Sequence, residues 1–376
     1  MTRTQCLEKE SETMRAQNTR SRAIGAISFL TAGSLLFAAC SSAPTKPKKK
    51  ATTTTTAAPK PTCPLTGVAP AGGTVPQRPA LAVKVDNYVD ARPQSGLDKT
   101  DVMFEEPVEG GITRFVAVFQ CQNADSVGPI RSARQIDIGI LGQLGNPGLV
   151  HVGGIDPVLN NITNAGIPNL DLGAFGQVIT HPSGRYAPYS TYSSTEQLYG
   201  IAPKSSTPPK PIFTYSTSVP AGAQGVTSVH IPFSGNSDVT WNWNPTDATW
   251  LRFYNGTLPD KNADGVQNQA SNVIAQTVNV TYGPWTENAQ GGLEVQAVLS
   301  GTSGPAVVYR NGVQIPATWS RASNADPTIY KDSSGKRISM APGRTWVELV
   351  PAGITITPQL VPVTTTTSKA TTTTRR

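Results

Sequence analysis

The residue types best suited to chemistry lie in the first half of the chain, at the ends of short apolar runs. Asp86 and Asn87 close one run, and Arg92 and Gln94 follow it. Glu105, Glu106 and Glu109 surround the next, with Thr113 and Arg114 beyond a Gly110-Gly111 pair. Arg131, Ser132 and Arg134 precede a third run, and His151 ends a fourth. Arg92, Arg114, Arg131 and Arg134 could hold a planar oxyanion, because guanidinium donors form paired bonds with carboxylate or phosphate. Asp86, Asn87 and His151 could complete such a ligand site. Glu105 or Glu109 could act as general acid or base on a substrate held there. Each part also has a structural reading. Glu105 could pair with Arg114 across neighbouring strands, and Arg131 and Arg134 could be ion-pair partners. Gly110-Gly111 could be a turn, and His151 a satisfied buried histidine.

Other chemistries find no support. The three histidines, at 151, 181 and 230, do not stand at metal-ligand spacing. The chain contains no G-x-S-x-G, no H-E-x-x-H and no phosphate-binding P-loop. No metal and no cofactor are expected.

The elements that must position these residues follow from apolar periodicity. Leu81, Val83 and Val85 alternate with Ala82, Lys84 and Asp86, a strand pattern. Further strands are expected at 101–107 and 112–119. Helices are expected at 132–144, 156–165 and 194–199, with a short strand at 149–152 between the first two. Strands interleaved with helices favour an α+β or α/β domain with a mixed sheet over 63–205. The run PKSSTPPKP at 203–211 breaks the chain. Beyond it helix signals nearly vanish. Strands are expected at 226–232, 239–243, 249–254, 273–282, 293–299, 306–310 and 346–350, with Asn311-Gly312 as a hairpin turn. A smaller, mostly antiparallel β domain therefore spans 212–352. Trp241 and Trp243 share a strand face and read as its core, with a sugar-stacking platform as the other reading.

The ends of the chain speak of address. Residues 23–39, AIGAISFLTAGSLLFAA, are uncharged, follow Arg15, Arg20 and Arg22, and end in the small pair Ala38-Ala39 before Cys40. That order makes a secretory signal over 1–39, with Met14 as an alternative start. A Cys directly after it resembles a lipobox, in which the thiol is acylated; Phe37 stands where Leu is usual. Residues 40–62 and 353–376 read as a disordered tether and a disordered Thr-rich tail. The formal charge of +7 belongs to these ends, because residues 61–362 hold 18 basic and 21 acidic residues. A nucleic-acid reader would need a basic face on its folded part. The lysines after Cys40 suit anionic lipid headgroups instead. The expected location is the extracytoplasmic face of the cell membrane, lipid-anchored. In that oxidising compartment Cys63 and Cys121 are either a disulfide or two buried thiols.

The run RPALAVKVDNYVDARPQSGLDKTDVMFEEPVEGGITRFVAVF resembles the DUF3048 family of YerB-like bacterial lipoproteins. VGPIRSARQIDI, HVGGIDP, GPAVVYRNGVQIPATWSR and MAPGRTWVELVP extend the resemblance from Cys63 to Pro351. It implies an N-terminal mixed domain and a smaller C-terminal domain, and no established enzymatic activity. The chain departs from the family pattern at Pro188-Tyr189-Ser190-Thr191-Tyr192 and at Thr257-Leu258-Pro259-Asp260, where relatives carry His. Three functions are consistent with all this. The first is an envelope protein binding an anionic or carbohydrate ligand or a protein partner. The second is a cell-wall hydrolase or transferase using Glu105 or Glu109 with Arg114 and Arg131. The third is an interaction scaffold.

Overall fold

The computed structural model describes residues 60–204 and 207–362. The expected signal sequence, Cys40, residues 40–59 of the expected tether and the expected tail from 363 lie outside the described residues.

The first half supplies β1 (Leu81–Asp86), β2 (Val102–Pro107), β3 (Thr113–Phe119), β4 (Gly148–His151) and β5 (Asn169–Asp171). Its helices are α1 (Ile136–Leu141), α2 (Asp156–Asn164) and α3 (Thr195–Ile201). The second half supplies β6 (Gln224–Ser234), β7 (Ser237–Asn244), β8 (Thr249–Tyr254), β9 (Leu258–Pro259) and β10 (Gln269–Ala270). It continues with β11 (Asn272–Val278), β12 (Val280–Thr286), β13 (Leu293–Ala297), β14 (Thr302–Arg310) and β15 (Val313–Arg321). β16 (Ile329–Lys331), β17 (Thr345–Pro351) and β18 (Thr357–Leu360) complete it. The fold is thus a mixed-sheet region with few helices followed by a mostly antiparallel β region.

The two regions share one sheet. Its order runs β10-β8-β7-β6-β15-β14-β11-β17-β2-β3-β1-β4-β5, and the join is β17 lying parallel to β2. Val229, Ile231 and Trp241 of β6 and β7 share one core cluster with Val83 and Phe115 of β1 and β3. The other face of β1–β3 carries Ala82, Phe104 and Val116 under Ile136 and Ile140 of α1 and Val158 of α2. β1, β2 and β3 are therefore buried on both faces along their whole length. Burying apolar surface on both sides is the main stabilising term here.

Several elements differ from the sequence expectation, each for a local reason. The helix expected from 132 starts only at Ile136, because residues 131–134 are tied into loops. Arg131 N donates to Lys84 O, Ala133 N to Gly153 O, and Arg134 N to the Asp137 carboxylate at 2.7 Å. The strand expected over 273–282 breaks at Asn279 into β11 and β12, and β12 pairs only with β13, in a separate two-stranded sheet. The segment from 353, expected to be tail, forms β18 against β6. Asn311 and Gly312 adopt φ of 52° and 72° at the tight turn joining β14 to β15, the geometry an Asn-Gly hairpin requires. Cys63 and Cys121 form a disulfide with Cα atoms 6.0 Å apart, closing a sequence separation of 58. Constraining a loop of that length stabilises by about 4 kcal/mol in the chain-entropy model.

Candidate functional site

β1, β4 and β5 run parallel, and β2 ends where β3 begins. Asp86, Glu106, Arg114 and His151 therefore collect at one end of the sheet. Asp86 and Glu106 both lie opposite Arg114 in the ladder. Side chains alternate along a strand, so the neighbours Glu105 and Glu106 point to opposite faces. This alternation divides the candidate residues into two charged clusters.

The first lies on the helix side. Lys84 is fully buried and its ammonium bridges Glu106 and Asp137, the latter at 2.8 Å. Two carboxylates compete there for one cation in a medium of low dielectric. Burial, and then the Asp137 charge, push the Glu106 carboxyl up to about 8. Farther out, the Arg134 guanidinium grips Glu109, with Nε at 2.8 Å, and reaches Glu287 of the β12–β13 turn at 3.2 Å. Burial would raise Glu109, but the Arg134 hydrogen bonds and the Arg114 and Arg134 charges prevail and hold it at about 2. Arg114 lies beneath, 3% exposed, 3.5 Å from Glu109, its Nε without a hydrogen-bond partner. Burial, and then the Arg134 charge, lower its pKa to about 10. Arg131 is the cation that reaches water: its side chain is 27% exposed, and Nε donates to Asp86 at 2.7 Å.

The second cluster lies on the strand side. Arg252 of β8 is fully buried; it donates to Glu105 at 2.7 Å and to Asp260 at 2.6 Å. Phe115, Trp241, Tyr254 and Trp346 surround its guanidinium at 4.6 to 6.0 Å from their ring centres. Trp241 Nε1 donates to Glu348 at 2.7 Å; burial and the adjacent Glu105 hold that carboxyl far above the usual range. Asn87 receives the Tyr254 hydroxyl at 2.8 Å and donates to Thr113 at 2.7 Å. Arg92 stacks 3.5 Å from the centre of the Tyr254 ring and donates to Asn87 O.

The sequence-derived residues are thus not one constellation. Asp86, Glu109, Arg114, Arg131 and Arg134 come together on the helix side. Asn87, Arg92 and Glu105 belong to the strand side. Glu105 does not pair with Arg114; it pairs with Arg252, because Arg114 shares a face with Glu106. His151 joins neither cluster. It is buried, with Nδ1 2.8 Å from Gly153 O and Nε2 against the Asn169 amide oxygen. Gly110 and Gly111 take positive φ of 76° and 69°, and their carbonyls accept from Asn236 and Ser234, as a turn does. Trp241 is core.

Sequence reasoning gave no role to Lys84, Asp137, Arg252, Asp260, Glu348, Tyr88 or Tyr189. One signal was available. Trp250, Arg252 and Tyr254 share a phase in β8, so a charge stands where the pattern demands an inward side chain.

Beside the Arg131–Asp86 pair the surface is aromatic. Tyr88 follows Asp86, whose carboxylate accepts its backbone N–H at 2.8 Å. Its ring stacks on Tyr189, centroids 6.4 Å apart and planes 18° apart. The Arg131 guanidinium lies 5.9 Å from the Tyr189 ring centre. The loop carrying Tyr189 is fastened by Ile130 N donating to Thr191 O and by reciprocal bonds between Thr180 and Tyr192. Arg185 ties it to the loop after β1, donating to the carbonyls of Ala91 and Pro93. Tyr186 in the same loop is 80% exposed. These groups form a partly exposed surface, the mouth, at the Arg131 edge of the helix-side cluster.

Two clefts of about 630 Å³ lie elsewhere. One is apolar, between the Gly110-Gly111 turn and Val280, Tyr282 and Leu293 of the β12–β13 pair. The other lies at the opposite end of the sheet, among Pro79, Gly148, Pro168 and Pro208. Among the described residues no group of His, Cys, Asp and Glu is placed to hold a metal ion.

Two family models match the chain. The N-terminal domain of the DUF3048 proteins of unknown function matches residues 65–208, and the C-terminal domain matches 229–347. A Bacillus subtilis (strain 168) protein named "Putative lipoprotein YerB" is 25% identical over 298 residues, covering 77% of this chain and 86% of its own length. The crystal structure of YerB protein from Bacillus subtilis superposes with a TM-score of 0.67 at 23% identity, covering 79% of this chain and all of that one. Sequence motifs, both halves of the fold and these matches agree: the chain belongs to the DUF3048 family.

Proposed function

We propose that this chain is an exported lipoprotein, held by a lipid on Cys40 at the extracytoplasmic face of the cell membrane, whose folded body binds a ligand at the Tyr88–Tyr189–Arg131 mouth. The address is supported by the signal-like leader, the Cys after it and the lipoprotein name of the relative. Multiple acyl chains on one cysteine hold a protein durably, where a single chain is marginal. The observation that carries the binding reading is the mouth itself. A guanidinium that reaches water, with part of it unused, stands beside the exposed Tyr88 and Tyr186 and the half-buried Tyr189, on two loops that are bonded to each other. Such preorganised polar and aromatic groups lower the cost of ordering on binding.

The hydrolase reading loses support from the same geometry. Glu105 and Glu109 lie on opposite faces of the sheet. Glu105 is sealed, and Glu109 at about 2 is ionised and saturated by Arg134, so it has no proton to donate near neutral pH.

Two experiments test the proposal. Labelled fatty acid should enter the wild-type protein in cells and not Cys40→Ala; label retained in the variant contradicts the anchor. An unbiased screen of envelope extracts against the full chain should return a ligand whose retention falls with Arg131→Ala. A ligand retained equally by that variant contradicts the mouth.

A further inference from the structure

We infer that the ligand of the mouth is an uncharged oligosaccharide, stacked on Tyr189 and hydrogen-bonded by Arg131, which Asp86 holds in place. This rests on the mouth being a binding site, as proposed above, and names what fits it.

Charge decides between an anion and a neutral polar ligand. An anion needs cations in excess, and the mouth sets Arg131 and Arg185 against Asp86 and Asp90, with no cation in excess. Arg131 is already committed to Asp86 through Nε. Arg114 and Arg134 are each 3% exposed and engaged with Glu109. Asp90 adds a further carboxylate on the loop that carries Tyr88. Burial, and then the Asp86 and Asp90 charges, push the Tyr189 phenol up against the opposing Arg131 charge. An incoming phosphate or carboxylate would find no unmatched cation there.

A sugar meets complementary groups. The C–H face of a pyranose is apolar and packs on an aromatic ring, whose polar tip stays in water. The mouth offers the stacked Tyr88–Tyr189 pair, with Tyr186 largely exposed in the same turn. Sugar hydroxyls accept hydrogen bonds, and Arg131 supplies donors, since its Nη1 and Nη2 make no hydrogen bond within the described residues. Asp86 is 1% exposed and accepts from Arg131 Nε and the Tyr88 N–H, so it positions that guanidinium and does not itself meet the ligand. The Arg185 bonds to the carbonyls of Ala91 and Pro93 hold the two loops together without ligand. Of the two tryptophans that the sequence offered for stacking, Trp241 is buried and the half-buried Trp243 packs on Trp250; neither belongs to the mouth.

The test is calorimetric titration of the full chain with three probe sets. These are neutral oligosaccharides of four or more pyranose units, the same chains bearing carboxylate or phosphate, and inorganic phosphate. The expected result is binding of a neutral set that changes little between low and high salt. Tyr189→Ala should weaken it about tenfold, the size of a lost stacking contact, while Tyr189→Phe keeps most of it. Tyr186→Ala, at an exposed position, should weaken it without altering the melting temperature. Binding confined to the charged probes, lost in Arg131→Ala and steeply salt-dependent, would overturn the sugar inference and leave the mouth as a site. Binding of any probe untouched by both Tyr189→Ala and Arg131→Ala would overturn the mouth as well.

Discussion

One sheet end carries two charged clusters, back to back, and they differ in what surrounds them. Around Arg252 the cation and its two carboxylates are fully buried, with aromatic rings about the guanidinium, and only Arg92 at the rim is half-buried. Around Arg131 the same residue types step outward, from the sealed Lys84–Glu106–Asp137 group, through the nearly buried Arg114, to a guanidinium in contact with solvent. Residue type alone therefore does not mark a site. The Arg252 cluster joins the second half of the chain, through β8 and β17, to Glu105 of the first. The Arg131 cluster ends in a surface that a ligand can touch.

If the strand-side cluster is structural, breaking it should cost most. Arg252→Met leaves Glu105 and Asp260 buried without their cation. The expected loss is at the upper end of the ~3–5 kcal/mol typical of a halved buried pair. Urea unfolding of the full chain would measure it, and a loss under about 1 kcal/mol would show that the cluster is not sealed. Lys84→Met should cost less, about 3 kcal/mol, because Glu106 can take up a proton and only Asp137 is left bare. Equal losses for the two variants would erase the distinction drawn between them.

Proton linkage sharpens the contrast. Glu106 has its folded pKa raised, from 4.5 to about 8, so its contribution is fully present below about 4.5 and lost as pH rises through about 8. Wild type should lose more than about 1 kcal/mol relative to Glu106→Gln between pH 5 and pH 8. Glu109 runs the other way. Its folded pKa is lowered to about 2, so its contribution is present above about 4.5 and is lost as pH falls toward 2. Parallel pH profiles for wild type and Glu106→Gln would contradict the account of the Lys84 group. The smallest stability effect belongs to Arg131→Ala. The Arg131 cation is partly exposed and Asp86 keeps the Tyr88 N–H, so the expected loss is about 1–2 kcal/mol, while ligand retention falls.

Much of the fold was legible. β1 falls where Leu81, Val83 and Val85 alternate, and Asn311-Gly312 makes the turn expected of it. The sheet shared by both halves was not legible, because β17 pairs with β2 across more than 240 residues. No local pattern encodes such a partner. The candidate site was half legible. Arg114, Arg131 and Arg134 do gather, since they close neighbouring elements at one sheet end. Glu105 was grouped with them because it is adjacent to Glu106, yet the two-residue period of a strand sends them to opposite faces. Lys84 stands at the other phase of the β1 alternation, and its role appears only once both faces are known to be covered. Tyr189 lies in a loop with no period, so its stacking on Tyr88 had no sequence signal.

The most direct measurement is arginine-specific modification of the full chain, read residue by residue by peptide mass mapping, with and without the neutral oligosaccharides. Arg131 should react readily and be protected by ligand, while Arg252 and Arg114 stay unmodified in the folded protein. Modification of Arg252 at the rate of Arg131, or reaction of Arg131 unchanged by ligand, would contradict the account of one sealed cluster and one open one.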